Sequence, residues 1–220
     1  MQELGKIGHR GFAFDLPGHG DDPTPRSAVT FQSYVAAATR FLQTKGPDTC
    51  VLVGHSIAGM ILPEIVLENI SRISQVVFLA ALVLDAGEAA IDVIPESRRS
   101  RYFEMARQSS DNTLSVDFDT AFDRFFNDLR EHRARMLYGR LTPQPFAPYL
   151  EPLKTSAHAI SKTKRYIICS RDRTFPRDLC LGFASKLGTE PEEIDAAHDV
   201  MLSRPVELAQ LLTKSAGAET

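Results

Sequence analysis

Short, uninterrupted apolar runs separated by segments of helical period constrain this chain most. Cys50-Val51-Leu52-Val53, Val76-Val77-Phe78-Leu79-Ala80 and Arg165-Tyr166-Ile167-Ile168-Cys169 lack the polar alternation of a half-exposed strand. They suit parallel strands covered on both faces. Between them, Phe31, Tyr34, Val35, Ala38, Phe41 and Leu42 recur at helical spacing until Gly46-Pro47-Asp48 stops them, and apolar segments of helical length run over Met60–Leu67 and Leu179–Leu187. Strand alternating with helix predicts a doubly wound, mostly parallel α/β sheet. A further strand is predicted at Gly11–Leu16, and a short extended piece and a terminal helix from near Pro205 flank His198.

From about residue 85 to 153 the alternation lapses, and Phe118, Phe122, Phe125, Phe126 and Leu129 recur at helical spacing. A helical insertion into a single domain spanning 1–220 is expected, since 220 residues leave little room for a second core. Lys+Arg 25 against Asp+Glu 28 gives a net charge of −3, without the basic excess of nucleic-acid or membrane-surface binders. No run approaches the roughly 18 to 20 apolar residues of a membrane span, and Met1–Arg10 has no signal-peptide core. Cys50, Cys169 and Cys180 are odd in number and lack zinc spacing, so a reduced, cytoplasmic setting is expected.

The most specific local signal is Val51-Leu52-Val53-Gly54-His55-Ser56-Ile57-Ala58-Gly59-Met60, an apolar strand entering a helix through small residues. A serine on such a turn is lifted clear of the sheet, and the residues two before and two after it must be small, as Gly54 and Ala58 are. Ala58 stands where glycine is more usual, with Gly59 beside it. Pro63 predicts a local kink.

A serine nucleophile needs a base, which in this topology follows it in the chain. Of six histidines, His132, His158 and His198 come after Ser56. His132 lies in a charged helix and His158 in a polar stretch, whereas His198 lies in Asp195-Ala196-Ala197-His198-Asp199, a small-residue loop after the last strand candidate. The acid belongs at the end of the preceding strand. Asp172, just past Cys169, is preferred to Asp178, which the dipole at a helix start explains. Ser56, Asp172 and His198 are thus the expected catalytic residues.

These residues, with Asp15-Leu16-Pro17-Gly18-His19-Gly20, Leu141-Thr142-Pro143-Gln144-Pro145 and His198 followed by Ser203-Arg204-Pro205, resemble the α/β-hydrolase group of plant methylesterases, hydroxynitrile lyases and bacterial pyrethroid-type esterases. The resemblance implies hydrolysis of a small, fairly apolar carboxylic ester through an acyl-enzyme. It also implies that the insertion is a helical cap, that the turn at Asp15–Gly20 is structural, and that no cofactor or metal is needed. The expected partner is the ester substrate rather than nucleic acid or membrane, with a homodimer left open. Hydroxynitrile lyases similar to this group carry lysine directly after the catalytic histidine; Asp199 here opposes cyanide chemistry.

Related enzymes begin with a strand ending in His-Gly whose loop supplies one oxyanion amide, the other coming from the residue after the nucleophile, here Ile57. No such strand precedes Gly11, and Met1–Arg10 resembles the end of the helix that follows it. The resemblance thus implies an N-terminally truncated domain. Loss of one oxyanion donor lowers turnover about 10²- to 10³-fold, and five missing buried side chains amount to about 7–15 kcal/mol. Three possibilities stay open: an active esterase, an incomplete or non-catalytic homologue that binds a small molecule, or translation that starts upstream of Met1.

Overall fold

A computed structural model describes residues 1–214. Its main sheet contains four parallel strands, β1 (Cys50–His55), β2 (Ile73–Leu79), β5 (Thr163–Cys169) and β6 (Glu192–Ile194), in the order β1-β2-β5-β6. Two short strands, β3 (Thr113–Leu114) and β4 (Gln144–Pro145), pair antiparallel within the inserted region. The apolar runs therefore form a parallel sheet, with β2 and β5 starting two or three residues earlier than the runs suggest.

Continuous apolarity follows from coverage on both faces, because successive side chains of a strand point to opposite sides. Val76, Phe78, Tyr166 and Ile168 enter the larger core with helices Phe31–Thr44, Leu62–Glu68 and Arg177–Leu187. Val77, Leu79, Ile167 and Cys169 face the other way, onto Leu208 and Leu211 of the helix Pro205–Leu212. The helix Phe31–Thr44 buries Phe31, Tyr34, Val35, Ala38 and Leu42 and starts with a capping box between Thr30 and Ser33. That box satisfies two donors that a helix start otherwise leaves free.

The strand expected over Gly11–Leu16 does not form. The segment belongs to no ladder, and Phe12 and Phe14 remain 37% and 38% exposed. The physical reason is separation: a cavity of about 1020 Å³ lies between it and β1, lined by Gly11–Phe14 on one side and Val51–Val53 on the other. Backbone hydrogen bonds cannot cross such a gap. Phe14 is held instead by stacking on Phe41, with ring centroids 4.5 Å apart.

The same gap leaves the outer edge of β1 unpaired, with Val51 42% and Val53 39% exposed. An apolar edge with free amides and carbonyls invites pairing with another chain, and a lysine on such an edge blunts it. Val51→Lys is therefore expected to reduce concentration-dependent association by about threefold or more in sedimentation velocity. Identical profiles for the variant and the parent would refute this role for the edge.

Residues 85–153 contain the helices Glu96–Gln108, Phe118–Phe125 and Glu131–Tyr138. The phenylalanine spacing predicts a helix through Leu129, but the helix ends at Phe125 and Leu129 lies in the following turn. Phe126 nevertheless packs in the same cluster as Ala121 and Ala134, together with Leu202 from the chain's last part. At Pro63 no kink interrupts a helix. Ser56–Ile61 is a 3₁₀ turn and the α-helix begins at Leu62, so Pro63 falls in its first turn, where no amide is required.

Candidate active site

Ser56, Asp172 and His198 follow the C-terminal ends of β1, β5 and β6, the edge at which open parallel sheets gather functional groups. Ser56 has φ of 55°, the left-handed region, which a side chain other than glycine enters at a cost of about 1–3 kcal/mol. The crowding around the turn falls at two glycines. A Cβ on Gly54 would come within 2.7 Å of the Leu62 side chain, and one on Gly59 within 2.3 Å of the Leu82 carbonyl oxygen. Gly59, rather than position 58, thus makes the close backbone approach, which explains why alanine is accommodated there. The Leu82 amide also donates to the Ser56 carbonyl at 3.0 Å, fixing the turn against the chain leaving β2.

The three side chains meet. Ser56 Oγ lies 2.8 Å from His198 Nε2, and His198 Nδ1 lies 2.7 Å from Asp172 Oδ2. The side chains of His198 and Asp172 are 2% and 1% exposed, so water barely competes for the pair. The other Asp172 oxygen accepts the amides of Thr174 at 2.6 Å and Phe175 at 3.0 Å. With a carboxylate on Nδ1, that nitrogen carries the proton and Nε2 offers its lone pair to the serine hydroxyl. Ile57, second in the 3₁₀ turn, has an amide in a helix's first turn, where no intrahelical carbonyl accepts it.

The competing residues lie elsewhere. His132 and His158 are exposed, and Asp178 sits exposed in the first turn of Arg177–Leu187. His19 donates to or accepts from the Tyr34 hydroxyl at 2.8 Å, and burial, with Arg26 next in effect, lowers its pKa. Asp15 accepts the Asp21 amide at 3.0 Å, and a Cβ on Gly20 would strike its carboxyl at 2.3 Å, so this turn is built for its own closure.

Two residues at the site were not singled out from the sequence. Asp128, in the inserted region, accepts the Ala197 amide at 2.8 Å and so holds the loop that carries His198. Nothing local in Asn127-Asp128-Leu129 signals a contact 69 positions away. His55 Nε2 lies 2.9 Å from the His198 carbonyl oxygen; its place beside Ser56 was the available signal. The rings of Phe125 and Phe175 flank His198 at 5.9 and 5.5 Å.

Asp199 is the remaining charged neighbour. Burial, and secondarily Asp172 and Asp128, push its carboxyl up to about 6 against the partial counter-effect of His198. A carboxyl whose folded pKa exceeds its unfolded value binds more protons folded than unfolded between about pH 4 and 6. Stability therefore declines as pH rises through that window and the full cost applies above it. Asp199→Asn, which copies the neutral form, is expected to match the parent below pH 4 and to exceed it by about 2–3 kcal/mol above pH 6. Urea midpoints at pH 4 and 7.5 test this; an offset equal at both pH values would refute it.

Donor atoms of His55, His198 and Asp199 lie within 4.8 Å of one another. Both nitrogens of His198 are already engaged, by Asp172 and Ser56, so a cation there would have to break that chain. The cavity of about 1020 Å³ beside β1 is lined by Ala58 and Ile61 of the turn but not by Ser56. Among the described residues no helix is long and apolar enough to cross a membrane.

A parallel sheet covered on both faces, with a serine at positive φ in hydrogen-bond contact with a buried His–Asp pair beyond its strand ends, defines an α/β protein of the nucleophile-elbow class. The chain belongs to the alpha/beta hydrolase family, whose model matches residues 1–211. It is 25% identical over 227 residues to the protein named "Putative methylesterase 15, chloroplastic" of Arabidopsis thaliana, covering 96% of this chain and 51% of that one. It is 26% identical over 230 residues to polyneuridine aldehyde esterase of Rauvolfia serpentina, covering 95% of this chain and 86% of that protein. The chain thus spans about half the length of the first relative and most of the second. An extracellular alpha/beta-hydrolase from a Paenibacillus species superposes with a TM-score of 0.90 at 23% identity, over 98% of this chain and 91% of that one. That likeness concerns the fold.

Proposed function

We propose that this protein is a serine hydrolase that cleaves a small, fairly apolar carboxylic ester through an acyl-enzyme. The observation that carries the reading is the hydrogen-bond chain from Ser56 Oγ through His198 to Asp172, at 2.8 and 2.7 Å. The esterase names of two relatives agree with it.

In this reading Ser56 Oγ attacks the ester carbonyl while its proton passes to His198 Nε2. Asp172 keeps the other ring proton in place and stabilises the imidazolium. The Ile57 amide meets the negative charge that develops on the carbonyl oxygen. His198 then gives its proton to the departing alcohol and takes one from water as the water attacks the acyl carbon; collapse breaks the bond to Ser56 Oγ, which regains the proton from His198 as the acid leaves. These steps use side chains, a backbone amide and water. The helical segment 85–153 serves as the cap. It bears Phe125 beside His198, and its Asp128 holds the base loop. Such apolar rings favour an apolar acyl or alcohol group. The carboxyl of Asp199 next to the base favours hydrolysis over cyanohydrin cleavage, because it would repel cyanide. The free thiols Cys50, Cys169 and Cys180 fit a reducing cytoplasm.

The test is covalent. A fluorophosphonate reporter incubated with the 220-residue chain is expected to form one adduct, located at Ser56 by peptide mass spectrometry, alongside release of p-nitrophenol from p-nitrophenyl acetate. An adduct at another residue, or none, would overturn the reading.

A further inference from the structure

We propose that His55 is a positioning residue for the base: an N–H at its Nε2 donates to the His198 carbonyl oxygen and ties the nucleophile turn to the loop that carries the imidazole. The inference rests on the reading of Ser56 and His198 given above. The bond measures 2.9 Å, and the two rings lie 4.7 Å apart. His55 is the residue directly before Ser56, and Ser56 is pinned at φ 55°. His198 sits in a loop whose neighbours Ala196 and Ala197 lack side chains able to anchor it. The loop's other ties run elsewhere: Arg171 N to Ala196 O at 2.9 Å, the Asp195 carboxylate to the Arg171 guanidinium, Ala197 N to Asp128, and Asp199 N to Phe125 O at 3.3 Å. Beside the reacting Ser56–His198 pair itself, the His55 bond joins this loop directly to the serine turn, so it bears on the separation between Oγ and Nε2. A reacting pair must hold its separation within a few tenths of an ångström, because small misplacement of a reacting group is costly.

Only one protonation state does this work while leaving the base undisturbed. A carbonyl accepts, so His55 must carry its proton on Nε2. A second proton would place a cation beside a ring that itself becomes an imidazolium during turnover. Although 24% of its side-chain surface stays accessible, burial, and then repulsion from His198, lowers its pKa to about 3. The ring is therefore neutral throughout the range where an ester hydrolase would be assayed. Asp199 Oδ1, 3.9 Å from the same nitrogen, is too distant for a hydrogen bond and leaves the carbonyl as the acceptor.

The geometry separates two polar replacements. The amide nitrogen of glutamine reaches about as far from the backbone as Nε2, whereas that of asparagine reaches only to the level of Nδ1. With the fluorophosphonate reporter, His55→Gln is expected to label at Ser56 within about threefold of the parent rate, and His55→Asn and His55→Leu about tenfold or more slowly. Three equal rates, or glutamine as slow as leucine, would overturn the inference. Long-range ¹H–¹⁵N correlation on the unsubstituted chain supplies a readout independent of reactivity and of variant folding. His55 is expected as the Nε2–H tautomer from pH 5 to 8, and an Nδ1–H tautomer or protonation in that range would overturn the proposal. Labelling away from Ser56 would fail the reading of the site itself, and with it the role of His55. Equal rates for correctly placed adducts would fail the role of His55 alone.

Discussion

Replacing Ser56 with alanine is expected to reduce p-nitrophenyl acetate hydrolysis to the buffer rate and to abolish fluorophosphonate labelling, with the circular dichroism spectrum unchanged. The hydroxyl is the only group removed, and its hydrogen bond runs to His198 Nε2 rather than to a structural acceptor. The left-handed turn at Ser56 is imposed by its neighbours, through the close approach of Gly54 to Leu62 and of Gly59 to the Leu82 carbonyl. Alanine can occupy that turn at much the same backbone cost. In proteins of this chemistry the nucleophile and base act as a unit, so removal of one forfeits most of what both supply. Turnover that survives in the alanine variant would sink the nucleophile assignment.

Asp172→Asn is expected to lower the labelling rate about 10⁴-fold, the scale on which a base held in the wrong tautomer loses its function. The direction follows from the contacts of the two carboxylate oxygens. Oδ1 accepts the amides of Thr174 and Phe175, so an asparagine would keep its oxygen there and turn its NH₂ toward His198 Nδ1. Nδ1 would then become the acceptor and Nε2 the donor, and a donor at Nε2 cannot take the serine proton. Asp178→Asn is expected to have no comparable effect, since that side chain lies exposed at a helix start. A loss confined to the Asp178 variant would reverse the assignment of the acid.

How much of this was legible beforehand depends on the range of the interaction. The turn around Ser56 is written in ten consecutive residues, because an apolar strand, small residues and a helix are all local demands of one tight connection. Asp172 and His198 could be found because each sits directly past a strand, and the parallel topology delivers strand ends to one edge of the sheet. Asp128 could not be found, since its contact with the Ala197 amide joins an inserted helical region to a sheet loop. His55 was visible as a neighbour of the serine, yet its acceptor lies 143 positions away.

Gly11–Leu16 shows the opposite limit. Phe12, Phe14 and Leu16 carry the two-residue period of a strand, and the segment remains unpaired because a strand is completed by its neighbour's backbone, here across a cavity of about 1020 Å³ from β1. The helix expected through Leu129 ends at Phe125 for a related reason: periodicity reports which side chains share an apolar environment, and Phe126 shares it from outside the helix.

The sequence by itself determined the alternation of strand and helix and the turn at Ser56, because both follow from hydrophobic period and local steric demand; Asp172 and His198 were reached from the chain order usual for a serine on such a turn. Only the tertiary structure decided which carboxylate oxygen faces the imidazole, which residue holds the base loop, and whether an extended segment becomes a strand. Those depend on groups distant in the chain arriving within about 3 Å of one another, and no local preference encodes that meeting.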